Sequence, residues 1–414
     1  FLSQSKSFCF RNIFVQVKPV CVSTFHFTYN NRRRGKRCCC VHMNCKFEDI
    51  ISLENLLKAW IEFLSGKKYK KDVANFSLHL MDNLRVLHDE LSTKTYKHGG
   101  YKAFKISDPK PRDIHKATVR DRLVHHAIHR VLYPYFDKKF IFDSYSSRLV
   151  KGTHKAVNRF RDYFYKVSKN NTRTCWVLKG DVRKFFASID HNKLISILQR
   201  HLTDKNILNL LKEVINSFYG IINGIGLPLG NLTSQLFVNI YLNEFDQFIK
   251  HDLKVKFYVR FADDFVILSK DKNYLIDTLN VITDYLVKEL KLTLHPNKVS
   301  IETFSSGIDF LGLVNFPNYR VLRTKTKRRM FSKLEKRHES YKTGMIPGES
   351  LNQSLQSYLG ILKHCNGHDL TRKIKKFAVK LDKSNNGLYK VVVICYILMS
   401  FCRIRNNLEA KNVE

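Results

Sequence analysis

Acidic residues are scarce in this sequence, which has 36 Asp and Glu against 72 Lys and Arg. The formal net charge is therefore +36 over 414 residues. The positive charge is spread along the chain while 44% of the residues are hydrophobic, which is typical of a folded basic protein rather than of a disordered tail. A polyanion is the expected partner. Nucleic acid fits better than an anionic membrane surface, because no long amphipathic basic helix is recognisable.

Long hydrophobic runs are also missing. The most apolar stretch, Val391 to Cys402, is too short to span a bilayer, which takes about 20 residues. Lys6, Arg11 and Lys18 interrupt the segment in which a secretory signal would need an unbroken apolar core. The cysteines are unevenly scattered and do not form the regular framework of a disulfide scaffold. These features predict a cytoplasmic protein that does not associate with membranes.

The two ends of the chain differ from the rest. The first methionine is Met43, which directly precedes an amphipathic helical pattern, so we expect residues 1–42 to be a disordered or non-native extension. Three adjacent thiols at Cys38 to Cys40 cannot supply the Cys-x₂₋₄-Cys loop of a zinc site, so we predict none there. Residues 384–414 are assigned as a C-terminal tail.

The segment from Tyr258 to Lys270 carries the first chemical signal. Two runs rich in aromatic and β-branched residues flank Asp263 and Asp264, a pattern that predicts a β-hairpin with the acidic pair at its turn. Adjacent carboxylates repel each other, and a hard cation such as Mg²⁺ or Mn²⁺ relieves that repulsion. Asp-Asp is also ordinary hairpin-turn chemistry, so the pair alone does not distinguish a metal site from a structural turn.

A third aspartate ends another predicted strand. The apolar run from Trp176 leads into Asp181, and a carboxylate at the end of a buried strand is costly unless it is paired or bound to a cation. If the two strands are neighbours in one sheet, Asp181 and Asp263 meet. We therefore treat Asp181 as a candidate site residue.

Two loops have residues suited to a nucleotide. Arg148 and Lys151, beside Gly152, have the side chains that bind phosphates, although a solvated basic loop is the alternative. The glycine-rich run from Gly224 to Gln235 precedes a predicted helix and allows close approach of the backbone to a ligand, although glycine turns before helices are common for structural reasons.

Taken in order, these motifs resemble the reverse transcriptase family. The Asp181 strand matches its first catalytic motif, Phe261 to Asp264 its aromatic-x-Asp-Asp motif, Leu292 to Lys298 its lysine motif, and Phe310-Leu311-Gly312 its primer grip. The resemblance implies an α+β right-hand polymerase with fingers, a palm whose antiparallel sheet of ferredoxin-like type packs on helices, and a helical thumb. We assign residues 43–170 to N-terminal helices and fingers, 171–322 to the palm with fingers elements interleaved around 195–225, and 323–383 to a basic thumb.

The resemblance also implies an activity and a set of site residues. The activity is RNA-directed DNA polymerisation, with dNTPs, a template RNA and an RNA/DNA heteroduplex as substrates and products. Two Mg²⁺ ions, or Mn²⁺ as a substitute, would be held by Asp181, Asp263, Asp264 and the Val182 carbonyl. The implied nucleotide-binding residues are Arg120, Arg148, Lys151, Phe186 as the steric gate, Leu229, Gly230, Gln235 and Lys298. The implied primer and template contacts are Phe310, Leu311, Gly312, Lys325, Lys327, Arg328 and Arg329.

One motif is similar to that of a subfamily. The run from Leu229 to Gln235 stands where most reverse transcriptases have Gln-Gly-x-x-x-Ser-Pro, and it resembles the version in diversity-generating retroelements. That resemblance implies copying of a template-repeat RNA with frequent errors at adenines, transfer of the cDNA into a variable gene region, and a small basic oligomeric accessory protein. The alternatives are a group II intron-type reverse transcriptase and maturase, and a non-catalytic RNA-binding protein on the same scaffold.

Overall fold

The computed structural model describes residues 45–107 and 110–382, with side chains as far as residue 376. The expectations for residues 1–42 and 384–414 lie outside these ranges. So do those for the cysteine cluster at 38–40 and for the apolar stretch 391–402.

Short amphipathic helices form the N-terminal part. Apolar residues recur at helical spacing, and Ser52 caps the second helix by accepting a hydrogen bond from the Asn55 amide at 3.3 Å. The pattern from Val73 to Leu91 predicts one helix, but the structure interrupts it at His79. The helices are α1 (Phe47–Ile51), α2 (Leu53–Leu64), α3 (Lys71–Leu78) and α4 (Leu80–Ser92).

An antiparallel hairpin and a long helix follow. Strands β1 (Tyr101–Ile106) and β2 (Arg112–Ala117) pair along their full length, although the sequence predicts only the first. Because proline usually ends a helix, the sequence predicts an end at Pro134, but helix α5 (Val119–Lys139) continues for another turn. A proline removes one backbone donor, and burial of the following Phe136 in the core holds the last turn in place.

The palm sheet is built from strands with two buried faces. The four strands and the helices before and between them are, in chain order, α6 (Thr153–Val167), β3 (Trp176–Asp181), α7 (His191–Gln199), α8 (Lys205–Asn216), α9 (Leu232–Gln247), β4 (Tyr258–Phe261), β5 (Asp264–Ser269), α10 (Lys272–Leu290) and β6 (Ser300–Thr303). The sheet is antiparallel in the order β4-β5-β3-β6.

Alternate residues of the central strand enter different cores. In β5, Phe265 and Ile267 join the core formed with α9 and α10, while Val266 and Leu268 join the core formed with α6. This is the period-two alternation of a strand covered on both faces. The sheet position of the acidic hairpin is fixed by this alternation, because a shift of one residue would exchange the two faces.

A small sheet connects the palm to the thumb. It contains β7 (Ile308–Phe310), β8 (Leu313–Asn315) and β9 (Arg320–Leu322). Helices α11 (Thr324–Lys342), α12 (Gly348–Leu362) and α13 (His368–Asp382) follow. Helix α11 buries Met330 and Leu334 and exposes most of its basic side chains.

This mixture of antiparallel sheets and helices is the predicted α+β architecture of a right-hand polymerase. The residue bounds of fingers, palm and thumb stay a prediction, and we use the three names for the ranges given above. Within residues 45–107 and 110–382, none of the helices combines the length and the apolar character needed to cross a membrane.

Candidate active site

The three predicted carboxylates converge at one end of the palm sheet. Asp181 is the last residue of β3 and lies opposite Asp264, the first residue of β5. Asp263 occupies the two-residue turn between β4 and β5, so the predicted hairpin is confirmed. The Val182 amide donates to the Asp263 carbonyl at 3.2 Å. The backbone therefore brings together the four residues expected at the metal site.

Negative charge is concentrated at this point. Burial, and then the charge of Asp181, raises the pKa of Asp263. Burial, followed by the charges of Asp263 and Asp181 and a hydrogen bond to Asp181, raises the pKa of Asp264 to about 7. Because each carboxylate disfavours ionisation of its neighbours, a cation placed among them would be strongly stabilised.

One cationic side chain already reaches the cluster. The Lys298 ammonium donates to Asp181 Oδ1 at 2.6 Å. Lys298 lies in the short 3₁₀ turn Pro296–Lys298, and this turn is held close to β3 because the His295 amide donates to the Asp181 carbonyl at 2.8 Å. The predicted lysine motif is thus brought to the first predicted catalytic strand.

The oxygen atoms of this cluster are chemically suited to bind a hard divalent cation. Carboxylate and carbonyl oxygens are the ligands that Mg²⁺ and Mn²⁺ prefer. In the described part of the chain, however, no three histidine, cysteine, aspartate or glutamate side chains are arranged as a ready-made metal site. Metal binding would therefore require the carboxylates to turn toward a shared ion, and Lys298 to share Asp181 with it.

The glycine-rich loop connects this site to the fingers hairpin. The Leu227 amide donates to the carbonyl of Phe186, the predicted steric gate, at 2.8 Å. Two residues on, the Leu229 carbonyl accepts from the His115 amide of β2 at 3.1 Å. Gly230 has a φ of 113°, and a Cβ there would lie 3.0 Å from Ile114, so the loop approaches β2 closely. Gln235 is exposed on the first turn of α9.

Arg148 requires a correction. Its side chain is only 6% exposed, and its guanidinium donates to Asp137 Oδ1 at 2.6 Å and to the backbone carbonyls of Asp137, Ile141 and Ser144 at 2.7 to 3.0 Å. These bonds use most of the donors that would grip a triphosphate. Arg148 therefore holds its own loop together in this structure, and the nucleotide-binding interpretation is not supported for it.

Lys151 and Arg120 are also engaged within the protein. The Lys151 ammonium donates to the Phe142 carbonyl at 2.9 Å and lies 3.4 Å from the centre of the Phe142 ring. Arg120 pairs with Glu90 and donates to Asp121 Oδ1 at 3.2 Å. In the structure these two side chains make contacts within the protein, and nucleotide binding by Lys151 and Arg120 stays a prediction.

A different arginine lies near the acids. Arg112 begins β2 and is exposed, and its positive charge opposes the rise in the pKa of Asp263. The sequence contained a signal for it, since Arg112 ends the basic, proline-containing loop between β1 and β2. What the sequence did not show was β2 itself, and therefore the hairpin that carries Arg112 toward the palm.

Lys179 is a second residue that sequence reasoning missed. It lies two residues before Asp181, its charge opposes the rise in the pKa of Asp264, and its ammonium donates to the Asp309 carbonyl at 2.5 Å. Arg323, at the start of the thumb, pairs with the Asp309 carboxylate at 3.0 Å. The palm, the predicted primer grip and the thumb are connected through these contacts.

The predicted primer-grip and thumb residues differ in accessibility. Phe310 is fully buried and packs against Phe160 at 5.2 Å between ring centres, so its side chain supports the core rather than a primer. Leu311 and Gly312 form the turn between β7 and β8 and are half-buried. The four basic residues at the start of α11 are exposed, except for Arg329, which is half-buried; they are Lys325, Lys327, Arg328 and Arg329.

Comparison with known proteins identifies the family. Residues 104–315, just over half of the chain and including the four strands of the palm sheet, match the family described as reverse transcriptase (RNA-dependent DNA polymerase). The chain belongs to the reverse transcriptase family. As a reverse transcriptase it is an RNA-directed DNA polymerase, with a template RNA and dNTPs as its substrates. The family in general uses divalent metal ions.

Individual relatives match over different lengths. The reverse transcriptase is 26% identical to protein YkfC of Escherichia coli K12 over 55% of this chain and 70% of YkfC. It is 28% identical to the group II intron-encoded protein LtrA of Lactococcus lactis subsp. cremoris, over 37% of this chain but only 25% of LtrA. Apo telomerase from Candida tropicalis is a structural neighbour with a TM-score of 0.42 and 13% identity, covering 59% of this chain and 60% of the telomerase chain.

Proposed function

We propose that this reverse transcriptase copies a template-repeat RNA into error-prone cDNA for mutagenic retrohoming, which diversifies a target gene. The observation that carries the proposal is the run from Leu229 to Gln235, which resembles the version of this motif in diversity-generating retroelements. The position of Leu229 supports it, because this residue lies in the loop that connects the predicted steric gate to the fingers hairpin. A small basic accessory protein is part of the proposal.

The proposed chemistry uses the carboxylate cluster. Asp181, Asp263, Asp264 and the Val182 carbonyl would hold two Mg²⁺ ions, for which Mn²⁺ is a substitute. When bound, such ions lower the pKa of the primer 3′-hydroxyl and neutralise charge on the triphosphate and the leaving pyrophosphate. The raised pKa values of Asp263 and Asp264 support this use, since they reflect a site that favours added positive charge.

The residues around the cluster would bind and orient the nucleotide. Arg112, exposed on the fingers hairpin and close to Asp263, would pair with the triphosphate in place of Arg148. Lys298, bonded to Asp181, would orient that carboxylate or give a proton to pyrophosphate. The aromatic ring of Phe186 would contact the 2′-hydroxyl of a ribonucleotide and so exclude it.

The leucine at position 229 offers a physical reason for low fidelity. A glutamine in that position can donate a hydrogen bond near the incoming nucleotide, and such a bond is well formed only when the pairing geometry is correct. An apolar leucine cannot make it, so correct and incorrect pairs differ less in transition-state free energy.

The test is the substitution Leu229→Gln. Extension of a DNA primer on an adenine-containing RNA template, followed by sequencing of the products, should show an error frequency at adenines that falls about tenfold. Leu149→Gln is the matched control, because Leu149 is an exposed leucine outside this loop, and it should leave the errors unchanged. An unaltered error spectrum in Leu229→Gln would contradict the proposed basis of mutagenesis.

A second substitution separates catalysis from RNA binding alone. Asp263→Asn preserves the size of the side chain while removing a carboxylate from the cluster. We expect it to abolish Mg²⁺-dependent primer extension while binding of the RNA template is retained. Equal extension by the variant and the unaltered protein would contradict the proposed metal site.

A group II intron-type reverse transcriptase and maturase is the second candidate. The similarity to LtrA, a group II intron-encoded protein, favours it, although this chain covers only a quarter of LtrA. The two candidates predict different neighbouring DNA. A pair of near-repeats that differ at adenines supports gene diversification, whereas surrounding sequence that folds as a group II intron and is spliced with the help of this protein supports the maturase.

A further inference from the structure

A fully buried ion pair adjoins the turn that carries Asp263. Arg260 of β4 is 1% exposed, and Asp246 near the end of α9 is 0% exposed. The guanidinium Nε and Nη2 donate to the two oxygens of the Asp246 carboxylate at 2.7 and 2.6 Å. Removing both charges from water is costly, and replacing such pairs with apolar residues is often neutral or stabilising. Stability alone therefore does not explain the pair.

The remaining donors of Arg260 reach the neighbouring backbone and loop. Nη1 donates to the carbonyl of Ala262 at 3.1 Å, and Nη2 donates to Ser144 Oγ at 3.0 Å. The Tyr258 hydroxyl donates to Asp246 Oδ1 at 2.7 Å, which fixes the counter-ion as well. Arg260 is thus a rigid, planar connector between α9 and the turn of the acidic hairpin.

The turn itself has an unusual backbone conformation. Ala262 has a φ of 54°, a left-handed conformation that residues with a Cβ rarely adopt. Its carbonyl is held by Arg260, and the next carbonyl along the chain, that of Asp263, accepts from the Val182 amide at 3.2 Å. The peptide groups on both sides of the Asp263 Cα are therefore fixed, and with them the direction of its Cα–Cβ bond, from which the carboxylate turns toward an ion.

We propose that Arg260, with Asp246 as its counter-ion, is a positioning residue that sets the direction in which Asp263 presents its carboxylate to a divalent cation. The inference rests on the metal-binding part of the proposed function. Arg260 acts through Asp263 and does not itself contact the substrate. Its loss should weaken metal binding and slow the chemical step, while binding of the nucleotide changes little.

The test is the substitution Arg260→Lys, which keeps the charge opposite Asp246 but cannot reach that carboxylate and the Ala262 carbonyl together. Calorimetric titration of Mn²⁺ into the protein bound to a primer–template should show affinity weakened about tenfold. The kcat of primer extension should fall about 10- to 100-fold, with the KM for dNTP changed less than about threefold.

Arg130→Lys is the matched control. Arg130 also pairs with acidic and amide side chains, donating to Asn55 Oδ1 at 3.0 Å and to Glu62, but it lies among the N-terminal helices. It should lower the thermal midpoint without changing Mn²⁺ affinity. A folded Arg260→Lys protein with unaltered Mn²⁺ affinity and kcat overturns the inference.

Two further outcomes are distinguishable. If the unaltered protein binds no Mn²⁺, the proposed metal site fails, and the role of Arg260 fails with it. If Arg260→Lys does not fold, the variant Ser144→Ala tests the inference instead. It removes one neutral hydrogen-bond acceptor of the Arg260 guanidinium. Ser144→Ala should weaken Mn²⁺ binding about threefold, and an unchanged affinity would overturn the inference.

Discussion

At the scale of single residues, the basic side chains of this reverse transcriptase have very different roles despite similar sequence surroundings. Arg148 and Arg112 both stand in basic stretches of the sequence, and only Arg148 is predicted from the sequence to bind phosphate. The structure buries Arg148 among carbonyl groups and leaves Arg112 exposed, with its charge acting on the Asp263 carboxyl. Which arginine is available to a ligand depends on the acceptors that the fold places around it, and sequence pattern does not contain that information.

The two arginines should respond differently to substitution by glutamine. Arg112→Gln should raise the KM for dNTP about tenfold, because a charge-assisted hydrogen bond to the triphosphate is lost. Its thermal midpoint should not change, since the side chain is exposed. Steady-state primer extension at varied dNTP concentration measures the effect.

Arg148→Gln is the reciprocal case and serves as the control. It removes the partner of Asp137 and leaves three backbone carbonyls with fewer donors, so it should lower the free energy of unfolding by about 2 kcal/mol. The KM for dNTP of the folded fraction should stay unchanged. A tenfold rise in that KM with no loss of stability would restore Arg148 as a nucleotide-binding residue.

At the scale of secondary-structure elements, close packing around the catalytic strands explains why a glycine precedes Asp181. A Cβ added at Gly180 would lie 2.3 Å from the ring of Phe265, the residue opposite Gly180 in β5. Phe265 follows Asp264 directly, is buried, and packs its ring against Phe245 and Tyr258, so the ring has little room to move aside. The alignment of the two catalytic strands therefore depends on the absence of a side chain at this position.

Gly180→Ala should accordingly destabilise the protein by about 1 to 3 kcal/mol through overpacking and reduce primer extension in the fraction that folds. Gly360→Ala is the matched control. Gly360 lies inside α12, and apart from the backbone of that helix no atom of the described residues lies within 4 Å of an added Cβ, so alanine should stabilise the helix by about 0.5 to 1 kcal/mol. Urea unfolding monitored by circular dichroism measures both, and equal stability of the two variants would contradict the packing argument.

A buried histidine in helix α5, His125, should make the stability of the folded protein depend on pH in the acid range. Burial, and then the proximity of His98, lowers the pKa of His125 to about 3. Below its ordinary pKa of about 6.5, the unfolded chain binds a proton that the folded chain does not. Stability should therefore fall as pH decreases from about 6.5 toward 3, by at most about 1.4 kcal/mol per pH unit for this residue.

The substitution His125→Leu tests this dependence. Among the described residues His125 Nδ1 has no hydrogen-bond partner, so the polar contact that leucine sacrifices is that of Nε2 with His98 at 3.1 Å. The loss of stability between pH 6.5 and 4 should be smaller in His125→Leu than in the unaltered protein. His251→Gln, at an exposed histidine, should not change the pH dependence. Urea unfolding at a series of pH values gives the comparison.

The elements differ in how well the sequence predicted them. The hairpin at Asp263 and the strand that ends at Asp181 were recovered, because each has a run of apolar and β-branched residues that ends at an acid. Strand β2 was missed because its residues are mostly polar and only Ala117 is buried, which gives no period-two signal. The continuation of α5 past Pro134 was missed because tertiary packing outweighs the local cost of proline.

At the scale of the whole molecule, the excess of positive charge determines how the protein meets nucleic acid. The formal net charge of +36 is much larger than solubility requires. Cations that contact phosphates release condensed counterions, so affinity for a heteroduplex should fall steeply with salt concentration. The exposed residues Lys325 and Lys327 at the start of α11 are among those predicted to make such contacts.

The double substitution Lys325→Gln and Lys327→Gln measures this contribution. If each lysine contacts one phosphate, the slope of log affinity against log salt should become shallower by about 2. The loss of affinity should be similar for heteroduplexes of different sequence, because phosphate contacts do not read bases. Fluorescence anisotropy of a labelled RNA/DNA heteroduplex between low and moderate salt gives the slope.

A control with the same change in net charge shows whether position matters. Lys58 and Lys288 are exposed and already pair with acidic residues one helical turn away, Glu54 and Asp284. Their replacement by glutamine reduces the charge of the protein by the same amount but removes no predicted phosphate contact. The slope should then stay close to that of the unaltered protein, since counterion release counts contacts rather than total charge. Equal slopes for the two double variants would mean that α11 does not track the heteroduplex.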